Sequence, residues 1–404
     1  MRQSGAIGID LGTDSVKAVA VETVLGESAA RVIGVGASLG KGIRKGTIAE
    51  PEEAGQAIKE AVGALEKSTG IKSRGAHVGI GGAGLAFQKS KGLVAVSRAD
   101  SEVTKEDASR AVQASEANLS RLQNKEILHK FPIVYRVDNE VLARDPVGLV
   151  GVRLEAEVLF ITAFSQSLKN AIKAFDEADI NIEEVIASPL AAAKAVLDER
   201  EKEVGVMLMD IGSTTTSIIL FEEGLPYSLE VLPFGSANIT HDIATGFRTT
   251  LEEAEKLKIN YGSLRQESAP PKKTARGGED LVYGAYSKKK LSEIIEARLD
   301  DIFELAEKHL KKYERAGLLA SGVALVGGGA NLPGIEILAK ERLKLHARVA
   351  EPENLGGFKE KVKNPAWSVA VGAALMALDH NSNTSPFFRG RTGSLFHWLR
   401  AFLP

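Results

Sequence analysis

Two segments of the chain, about 200 residues apart, follow one pattern. Residues 7–22 read IGIDLGTDSVKAVAVE and residues 207–222 read MLMDIGSTTTSIILFE. Each is a short apolar strand, then Asp-x-Gly-Ser/Thr, then a second β-rich strand. Each half next turns helical, over 51–70 in the first and 251–262 in the second. The repeat therefore predicts an α/β fold of two similar domains that face each other.

The repeated Asp-x-Gly turns are suited to phosphate chemistry. Consecutive backbone N–H groups of a tight turn form an anion-binding nest, and the glycine allows a close approach. Mg²⁺ prefers one or two carboxylates together with water and phosphate oxygens. Asp10 and Asp210 can supply the carboxylates and hold the ion through water. With a third glycine-rich strand–helix turn at 327–329, the pair predicts a nucleotide cleft between the domains.

Composition limits the remaining classes of protein. A chain of 404 residues suits two core-bearing domains, and its net charge of −2 gives no general attraction to nucleic acid. The absence of cysteine indicates a reducing compartment. The N-terminal residues MRQSGAIGID lack a signal-peptide core, and no apolar run reaches ~18 residues. We therefore expect a cytoplasmic protein without a transmembrane anchor and without a nucleic-acid partner.

Between Gly84 and Thr162 the pattern changes. A helix with a capping box begins at Thr104, and β-rich segments follow at 126–138 and 156–164, which predicts a small inserted α+β subdomain. Gly79 to Gly84 match the dinucleotide motif GxGxxG, but extended chain rather than a helix is expected after them. We expect a domain junction there.

The C-terminal residues 392–404, TGSLFHWLRAFLP, have the spacing of one apolar helix face. A helix this short is marginal in water and folds against a surface. Either a protein groove or a membrane would serve. The aromatic residues and nearby arginines favour anionic lipids, and the residues expected to bind them are Leu395, Phe396, Trp398, Leu399, Arg400, Phe402 and Leu403.

These motifs resemble the actin/chaperone/sugar-kinase ATPase superfamily. Its phosphate loops match 10–17 and 210–217, its adenosine loop matches ALVGGGANLPG at 324–334, and its connecting helices match 186–197 and 365–378. The resemblance implies an actin-like ATPase fold, with two RNase H-like domains around the cleft.

Within that superfamily the chain resembles the bacterial cell-division protein FtsA over nearly its whole length. The stretches that carry this likeness include GIRKGTI at 42–48, ILHKFPIVYRVDNEVLARDPVGLVGVRLEAEVLFIT at 127–162 and PFGSANITHDIATGFRTTLEEAEKLKINYG at 233–262. The resemblance implies filaments on the inner face of the cytoplasmic membrane that anchor FtsZ at the division septum.

The resemblance also implies a domain division and an ATP and Mg²⁺ site. The divisions are 1–83 with 163–202 (IA), 84–162 (IC), 203–245 with 319–380 (IIA), 246–318 (IIB), a tether at 381–393 and the helix at 394–404. The IIB subdomain would receive the FtsZ C-terminal tail. The implied nucleotide-binding residues are Asp10, Gly12, Thr13, Lys17, Asp210, Gly212, Ser213, Thr214, Thr215, Gly235, Glu255, Lys258, Gly327, Gly328, Gly329 and Asn331.

Two of these roles compete with plainer ones. On spacing alone, Glu255 and Lys258 are a solvated i,i+3 ion pair, whereas the resemblance makes them a clamp on the nucleoside hydroxyls. Arg298 either meets an acidic peptide or pairs with a neighbouring carboxylate on its own helix.

The chain departs from the superfamily at two places. The second loop reads DIGSTTTS where DIGGGTTD is common, so side chains at 213 and 214 either crowd the phosphates or add a hydroxyl donor. Ser188 stands where hydrolysing members carry Glu or Gln, and a hydroxyl is a poor general base. We expect ATP binding with at most slow hydrolysis and assign no catalytic residue.

Other functions remain open. The DIGSTTTS loop also resembles the pilus-assembly protein PilM, of the same core fold. A small-molecule kinase would need a carboxylate base beside the terminal phosphate, which no motif supplies convincingly. A chaperone would need a peptide-binding domain after residue 378, where a tether and short helix are expected instead.

Overall fold

The structure is a computed structural model that describes residues 5–24, 29–119, 122–141, 144–265, 281–282 and 286–381. Through α5 the elements are β1 (Gly5–Leu11), β2 (Ser15–Glu22), β3 (Ala30–Leu39), β4 (Ile43–Arg44), β5 (Thr47–Ile48), α1 (Pro51–Thr69), β6 (Gly75–Ile80), β7 (Ala86–Ala95), α2 (Lys105–Ala117), β8 (Lys125–Val137), β9 (Glu140–Val141), β10 (Arg153–Phe164), α3 (Ser165–Glu177), β11 (Asn181–Ala187), α4 (Ser188–Val196) and α5 (Glu199–Val204).

The remaining elements are β12 (Val206–Ile211), β13 (Thr216–Glu222), β14 (Leu225–Leu232), α6 (Ser236–Phe247), α7 (Leu251–Tyr261), β15 (Leu281–Val282), β16 (Tyr286–Ser287), α8 (Lys288–Lys312), β17 (Val323–Val326), α9 (Ile335–Leu343), β18 (Ala347–Val349), β19 (Leu355–Gly357) and α10 (Ser368–Asn381). Short 3-10 helices lie at Gly328–Asn331, Lys359–Lys361 and Pro365–Trp367.

Two sheets repeat one construction. The first has strand order β11-β6-β1-β2-β3-β19 and the second β14-β13-β12-β17-β18. In each, an antiparallel three-stranded meander is extended by a parallel strand, β6 beside β1 and β17 beside β12. The register is also repeated, since Asp10 lies opposite Lys17 and Asp210 lies opposite Ser217. The predicted repeat is thus confirmed.

Helices α4 and α10 pack against each other where the two halves join. Glycine makes this approach possible, because a Cβ on Gly372 would lie 1.6 Å from the carbonyl oxygen of Ala191. A Cβ on Gly8 of β1 would likewise lie 2.1 Å from the carbonyl oxygen of Ala370. These contacts place α10 directly against both α4 and the first sheet.

The inserted α+β subdomain is confirmed as a separate sheet of order β7-β10-β8-β9 with its own small core. Helix α2 covers one face of this sheet. It begins with the predicted capping box, in which the Thr104 hydroxyl accepts from the Asp107 N–H at 3.2 Å and the Asp107 carboxylate binds the Thr104 backbone. A Cβ on Gly92 would lie 2.1 Å from the carbonyl oxygen of Ala111, so α2 lies very close to β7.

The outer part of the second half is helical. The long amphipathic helix predicted over 291–313 is α8, and its buried residues Leu291, Ile295, Leu299 and Ile302 recur at intervals of three and four. The division of the chain at the stated domain boundaries stays a prediction. The tether and the C-terminal helix, from residue 382 onward, lie outside the described residues, as does most of the loop expected at 263–283.

Candidate functional site

A cavity of about 600 Å³ lies between the two sheets, at the turns that end β1 and β12. Its volume is that of a typical small-molecule site. Of the predicted nucleotide-binding residues, those that line it are Asp10, Gly12, Thr13, Lys17, Asp210, Gly212, Ser213, Thr215, Glu255, Lys258, Gly327, Gly328, Gly329 and Asn331. Residues from both copies of the repeat therefore meet in one space. Thr214 and Gly235 stand beside the cavity and are described below.

The first copy carries a carboxylate with a cation. Asp10 ends β1, and its register partner Lys17 on β2 places its Nζ 3.8 Å from the Asp10 Oδ2 atom. Burial raises the pKa of Asp10, and the positive charge of Lys17 opposes that rise. Lys17 thus compensates part of the cost of a buried negative charge.

The second copy has a carboxylate without that cation. Asp210 ends β12, and a serine, Ser217, stands where the first copy has Lys17. Burial raises the pKa of Asp210 to about 7, and repulsion from Asp10 adds to the rise while Lys17 opposes it. Two neighbouring carboxylates that share a single lysine form a donor set suited to a hydrated divalent cation. Within the described residues, no group of three or more His, Cys, Asp or Glu side chains is placed to hold a metal by itself.

One hydrogen bond joins the two loops across the cleft. The hydroxyl oxygens of Thr13 and Thr214 lie 3.0 Å apart, although the residues are 201 positions apart in sequence. The Thr13 hydroxyl also accepts from the backbone N–H of Gly46 at 3.0 Å. Of the two residues that stand where DIGGGTTD has its second and third glycines, Ser213 lines the cavity and Thr214 reaches across to the first loop.

Each loop is packed against a glycine that follows the third strand of its meander. A Cβ on Gly235 would lie 2.6 Å from the carbonyl oxygens of Gly212 and Ser213. The equivalent residue of the first copy is Gly40, whose Cβ would lie 2.5 Å from the carbonyl oxygens of Gly12 and Thr13. The sequence analysis named Gly235 but not Gly40. Extending the comparison of the two hairpins beyond their second strands would have identified Gly40.

Lys258 is not a solvated lysine. It is only 7% exposed, and its ammonium donates to the Glu255 carboxylate and the Thr240 hydroxyl, each at 2.8 Å, and to the Ser236 carbonyl oxygen at 3.2 Å. The Thr240 hydroxyl donates in turn to Glu255. The pair is therefore held at the cavity wall by Thr240, a residue that the i,i+3 spacing alone did not indicate.

The three glycines at 327–329 differ in what surrounds them. Gly327 has φ 84°, and a Cβ there would lie 2.3 Å from the Asp210 Oδ1 atom. A Cβ on Gly329 would lie 2.4 Å from the Ile211 side chain, whereas one on Gly328 would meet nothing within 4 Å. Gly327 and Gly329 let the turn pack on the second loop, and Gly328 leaves the cavity wall flat.

The predicted residue Asn331 lies at the end of this turn, and its side chain donates to the Gly328 carbonyl oxygen at 3.2 Å.

The glycine-rich segment at 79–84 is followed by strand β7, so the rejection of a dinucleotide motif holds. Two of its glycines, Gly81 and Gly82, nevertheless line the cavity beside Ser188. Ser188 is the first residue of α4 and is 6% exposed. The sequence pattern placed the segment at a domain junction but did not show that it faces the cleft.

Arg298 is fully engaged by carboxylates. Its guanidinium donates to both oxygens of Asp242 on α6, at 2.6 and 3.0 Å, and to Asp301 one turn along α8 at 3.0 Å. The geometry favours the ion-pair interpretation of this residue, but only Asp301 lies on the same helix as expected, whereas Asp242 lies on α6.

The residues predicted to bind a membrane lie beyond residue 381 and so outside the described chain. Among the described helices, none combines the length and the apolarity needed to cross a bilayer.

Comparison with known proteins identifies the family. Residues 207–372 match the family model described as cell division protein FtsA, and residues 82–162 match the model of the SHS2 domain inserted in FTSA. The cell division protein FtsA of Pseudomonas aeruginosa is 32% identical over 385 residues, which cover 94% of this chain and 91% of that protein. The chain belongs to the FtsA family. The FtsA of Bacillus subtilis is 33% identical over 371 residues, covering 91% of this chain and 82% of that one.

Solved structures show the fold that FtsA proteins share with more distant relatives. A chain of the PilM–PilN type IV pilus biogenesis complex superposes with a TM-score of 0.68 at 18% identity, covering 94% of this chain and 99% of that one. MreB5 of Spiroplasma citri bound to ADP superposes with a TM-score of 0.55 at 14% identity, covering 96% and 99%. The expected actin-like ATPase fold is confirmed, and the likeness to PilM is one of fold alone.

Proposed function

We propose that this FtsA-family protein binds ATP with Mg²⁺ in the cleft, self-associates into filaments on the inner face of the cytoplasmic membrane, and anchors FtsZ at the division septum. The proposal rests on the cavity that residues from both copies of the Asp-x-Gly repeat line together. A ligand held by both loops would tie the two halves of the molecule together, so that ATP acts as an assembly switch.

The cavity supplies a complementary group for each part of a nucleotide. Other backbone N–H groups of the two loops, together with Lys17, would bind phosphate oxygens, since the Gly212 N–H already donates to the Thr215 carbonyl oxygen. Glu255 and Lys258 would hold the ribose hydroxyls, because both side chains are fixed at the cavity wall. The flat wall at Gly328 would lie against the adenine ring.

The paired carboxylates fit Mg²⁺. Asp10 and Asp210 would hold the ion through its water molecules, which matches the preference of Mg²⁺ for few protein ligands and a retained hydration shell. The bound ion would supply positive charge that screens the phosphates from both aspartates. Burial and the neighbouring Asp10 raise the pKa of Asp210, and a bound cation would offset both effects.

Hydrolysis would be slow. Ser188 lines the cavity at the start of α4, and its hydroxyl is too weak a base to activate water at neutral pH. A steady-state ATPase assay on monodisperse protein should give turnover well below ~1 s⁻¹, the low end of typical enzymes. Turnover at or above that value would contradict a switch role and reopen the small-molecule kinase as a function.

The C-terminal residues 394–404 would attach the filament to anionic lipid. With six apolar side chains, one copy would bind a membrane weakly and reversibly. Many copies in one filament would bind with much greater avidity without any new contact. Membrane attachment would therefore depend on assembly and so on the nucleotide.

The FtsZ tail would bind within residues 246–318. This region contains α7 and α8, but its Arg298 already binds Asp242 and Asp301 and is not a free receptor for an acidic peptide. Other residues of the region would carry the contact. Co-sedimentation of the full chain with FtsZ separates this function from a PilM-like role in pilus assembly.

A vesicle co-sedimentation assay tests the membrane proposal. Full-length protein with Mg²⁺ and ATP should pellet with vesicles containing anionic phospholipid, and a truncation at Thr392 should stay in the supernatant. Trp398→Glu should release the protein while ATP binding is retained, and Trp398→Phe is the matched control that keeps an aromatic side chain. Undiminished pelleting of Trp398→Glu would refute the lipid anchor and favour docking of this segment in a protein groove.

A further inference from the structure

The inserted subdomain, which comprises β7 to β10 with α2, contacts both halves of the molecule. Its strand β8 lies against the first half, where the Nε2 atom of the buried His129 accepts from the Ala187 N–H at 3.0 Å. Burial lowers the pKa of His129 to about 4, so the ring is neutral at neutral pH and able to accept. Ala187 directly precedes Ser188, which lines the cavity. The insert therefore meets the first half one residue from the cavity wall.

A second contact joins the insert to the other half. Two tyrosines of the second half, Tyr227 of β14 and Tyr313 after α8, lie beside strand β7 of the insert. The rings of Tyr313 and Phe87 meet edge to face with their centroids 6.0 Å apart, and the two tyrosine rings do so at 5.9 Å. The Lys89 ammonium lies 4.2 Å from the centroid of the Tyr227 ring. We call these four residues the aromatic contact.

The aromatic contact lies between hydrophobic cores rather than inside one. Phe87 packs against the core that includes the first sheet, whereas Tyr227 and Tyr313 pack against the core of the second half. All three rings are only partly buried, and Lys89 is exposed. Aromatic pairs and cation–π pairs at such positions are weak. The contact can therefore open without the unfolding of either core.

The second half forms its side of the aromatic contact by itself. The guanidinium carbon of Arg315 lies 4.9 Å from the centroid of the Tyr227 ring, and this guanidinium donates to the Glu222 carboxylate at 2.7 and 3.1 Å. All three residues belong to the second half, so their arrangement does not depend on the insert. Phe87 and Lys89 therefore meet a surface that is already formed.

The position of the insert depends on the angle between the halves. The cleft is closed at its two loops, since the hydroxyl oxygens of Thr13 and Thr214 lie 3.0 Å apart across it. The insert continues into the first half at both of its ends, through β6 and α3, and it touches the second half at the aromatic contact. A change in the angle between the halves must therefore break this contact or move the insert.

We propose that the insert is a brace that favours the closed cleft, and that the aromatic contact is the end at which the brace is released. Release would lower the fraction of molecules whose cleft is closed. The apparent affinity for a ligand held by both halves would fall with that fraction. The brace does not depend on which ligand the cleft binds, and only its effect on nucleotide affinity rests on the proposed function.

Double electron–electron resonance on the full-length, nucleotide-free protein tests the brace. The chain has no cysteine, so Lys41→Cys and Asn260→Cys accept one spin label each. Both residues are exposed, Lys41 after β3 in the first half and Asn260 on α7 in the second. In this labelled background Tyr313→Ala should shift the distance distribution to longer values and broaden it. Tyr313→Phe, which keeps the ring, should retain the distribution of the parent protein.

A second variant changes the contact from the side of the insert. Because Lys89 is exposed, Lys89→Glu leaves both cores intact while it replaces the cation over the Tyr227 ring with an anion that the ring repels. It should shift the distribution in the same direction as Tyr313→Ala, by a smaller amount. Lys105→Glu makes the same change of charge at an exposed position on α2, outside the aromatic contact, and should leave the distribution unchanged.

Isothermal titration calorimetry with the Mg²⁺ complex of the β,γ-imido analogue of ATP measures the consequence for the cleft. The affinity of Tyr313→Ala should be about three- to tenfold lower than that of the wild type, and the affinity of Tyr313→Phe should be unchanged. A wild type that does not bind the analogue would refute the proposed function but not the brace, which the distances decide without nucleotide.

Three results would overturn the inference. One is a distance distribution that is unchanged in both Tyr313→Ala and Lys89→Glu. Another is an equal shift in Tyr313→Phe and Tyr313→Ala, which would assign the effect to the hydroxyl group rather than to the ring. The third is an unchanged affinity of Tyr313→Ala for an analogue that the wild type binds, which would separate the insert from the cleft.

Discussion

The two copies of the Asp-x-Gly hairpin place an aspartate in the same register but give it different neighbours. In the first copy the residue opposite the aspartate is Lys17, and in the second it is Ser217. The pKa of both aspartates is raised by burial, and that of Asp210 reaches about 7 because it has no cation of its own and faces Asp10. A duplicated backbone motif has thus become electrostatically asymmetric.

This asymmetry indicates that the two copies contribute different charges to the cleft. The first copy brings a positive charge to the cleft, and the second brings a carboxylate whose ionised form is disfavoured by burial and by Asp10. A nucleotide with its Mg²⁺ supplies both the negative charge that Lys17 attracts and the positive charge that Asp210 lacks. Under the proposed function, the cleft would therefore be complementary to the metal–nucleotide complex rather than to the nucleotide alone.

The largest expected effect comes from removing the lysine of the first copy. Lys17→Met should weaken Mg²⁺–ATP binding by about 100-fold or more, because it removes a partly buried ion partner of both Asp10 and the phosphates. Lys17→Arg, which keeps the charge, should lose much less. Ser217→Ala, at the equivalent position of the second copy, should cost less than about tenfold. Equal losses from Lys17→Met and Ser217→Ala, measured by calorimetry, would show that the copies are electrostatically equivalent.

The second prediction concerns pH. Asp210 binds its proton more tightly in the folded chain than in the unfolded chain, so the free energy of unfolding falls as pH rises from 3.8 through about 7. Asp210→Asn removes this loss, and in nucleotide-free, metal-free buffer at pH 8 it should raise the melting temperature by about 5 °C.

The matched change in the first copy sharpens this result. Asp10→Asn should raise the melting temperature less than Asp210→Asn does, because Lys17 already offsets part of the burial cost at Asp10. Differential scanning calorimetry between pH 5 and pH 8 measures both variants. A pH profile of Asp210→Asn that parallels the wild-type profile would show that Asp210 is not the titrating group.

A smaller effect is expected when a lysine is introduced at the position in the second copy that corresponds to Lys17. Ser217→Lys places an ammonium group opposite Asp210, as Lys17 stands opposite Asp10. It should lower the pKa of Asp210, and the pH at which the melting temperature declines should shift down by about one unit. A profile that does not move would mean that the new side chain turns away from Asp210.

The smallest effect distinguishes the turns themselves. A Cβ on Gly12 would lie 2.6 Å from the Ser15 carbonyl oxygen, whereas one on Gly212 would lie 3.0 Å from the Thr215 carbonyl oxygen. Gly12→Ala should therefore destabilise the protein by about 1 kcal/mol more than Gly212→Ala, as measured by urea unfolding. The reverse order would show that the second loop tolerates an added Cβ atom less well than the first loop does.

The sequence allowed the elements of this fold to be predicted where the pattern is local. The helix at Pro51–Thr69, the capping box at Thr104 and the β-rich insert have clear local signals, and each is present. The repeat also placed Asp10 and Asp210 in one cleft, because equivalent hairpins of two similar domains face each other.

What the sequence did not allow depends on contacts between distant residues. Nothing near Thr13 indicates that its hydroxyl meets Thr214, which lies 201 positions away. Lys258 donates to Thr240, which lies on a different helix, and Gly81 lines the cavity beside Ser188, which lies on α4. These features arise from tertiary packing, which the periodicity of a single element does not record.

The central claim is that both copies of the repeat build one nucleotide site. Isothermal titration calorimetry of the full-length protein with the Mg²⁺ complex of the β,γ-imido ATP analogue tests it most directly. We expect one site per chain in the wild type, and loss of that same site in both Lys17→Met and Asp210→Ala, which change different copies. A site that survives either substitution with unchanged affinity would contradict the claim.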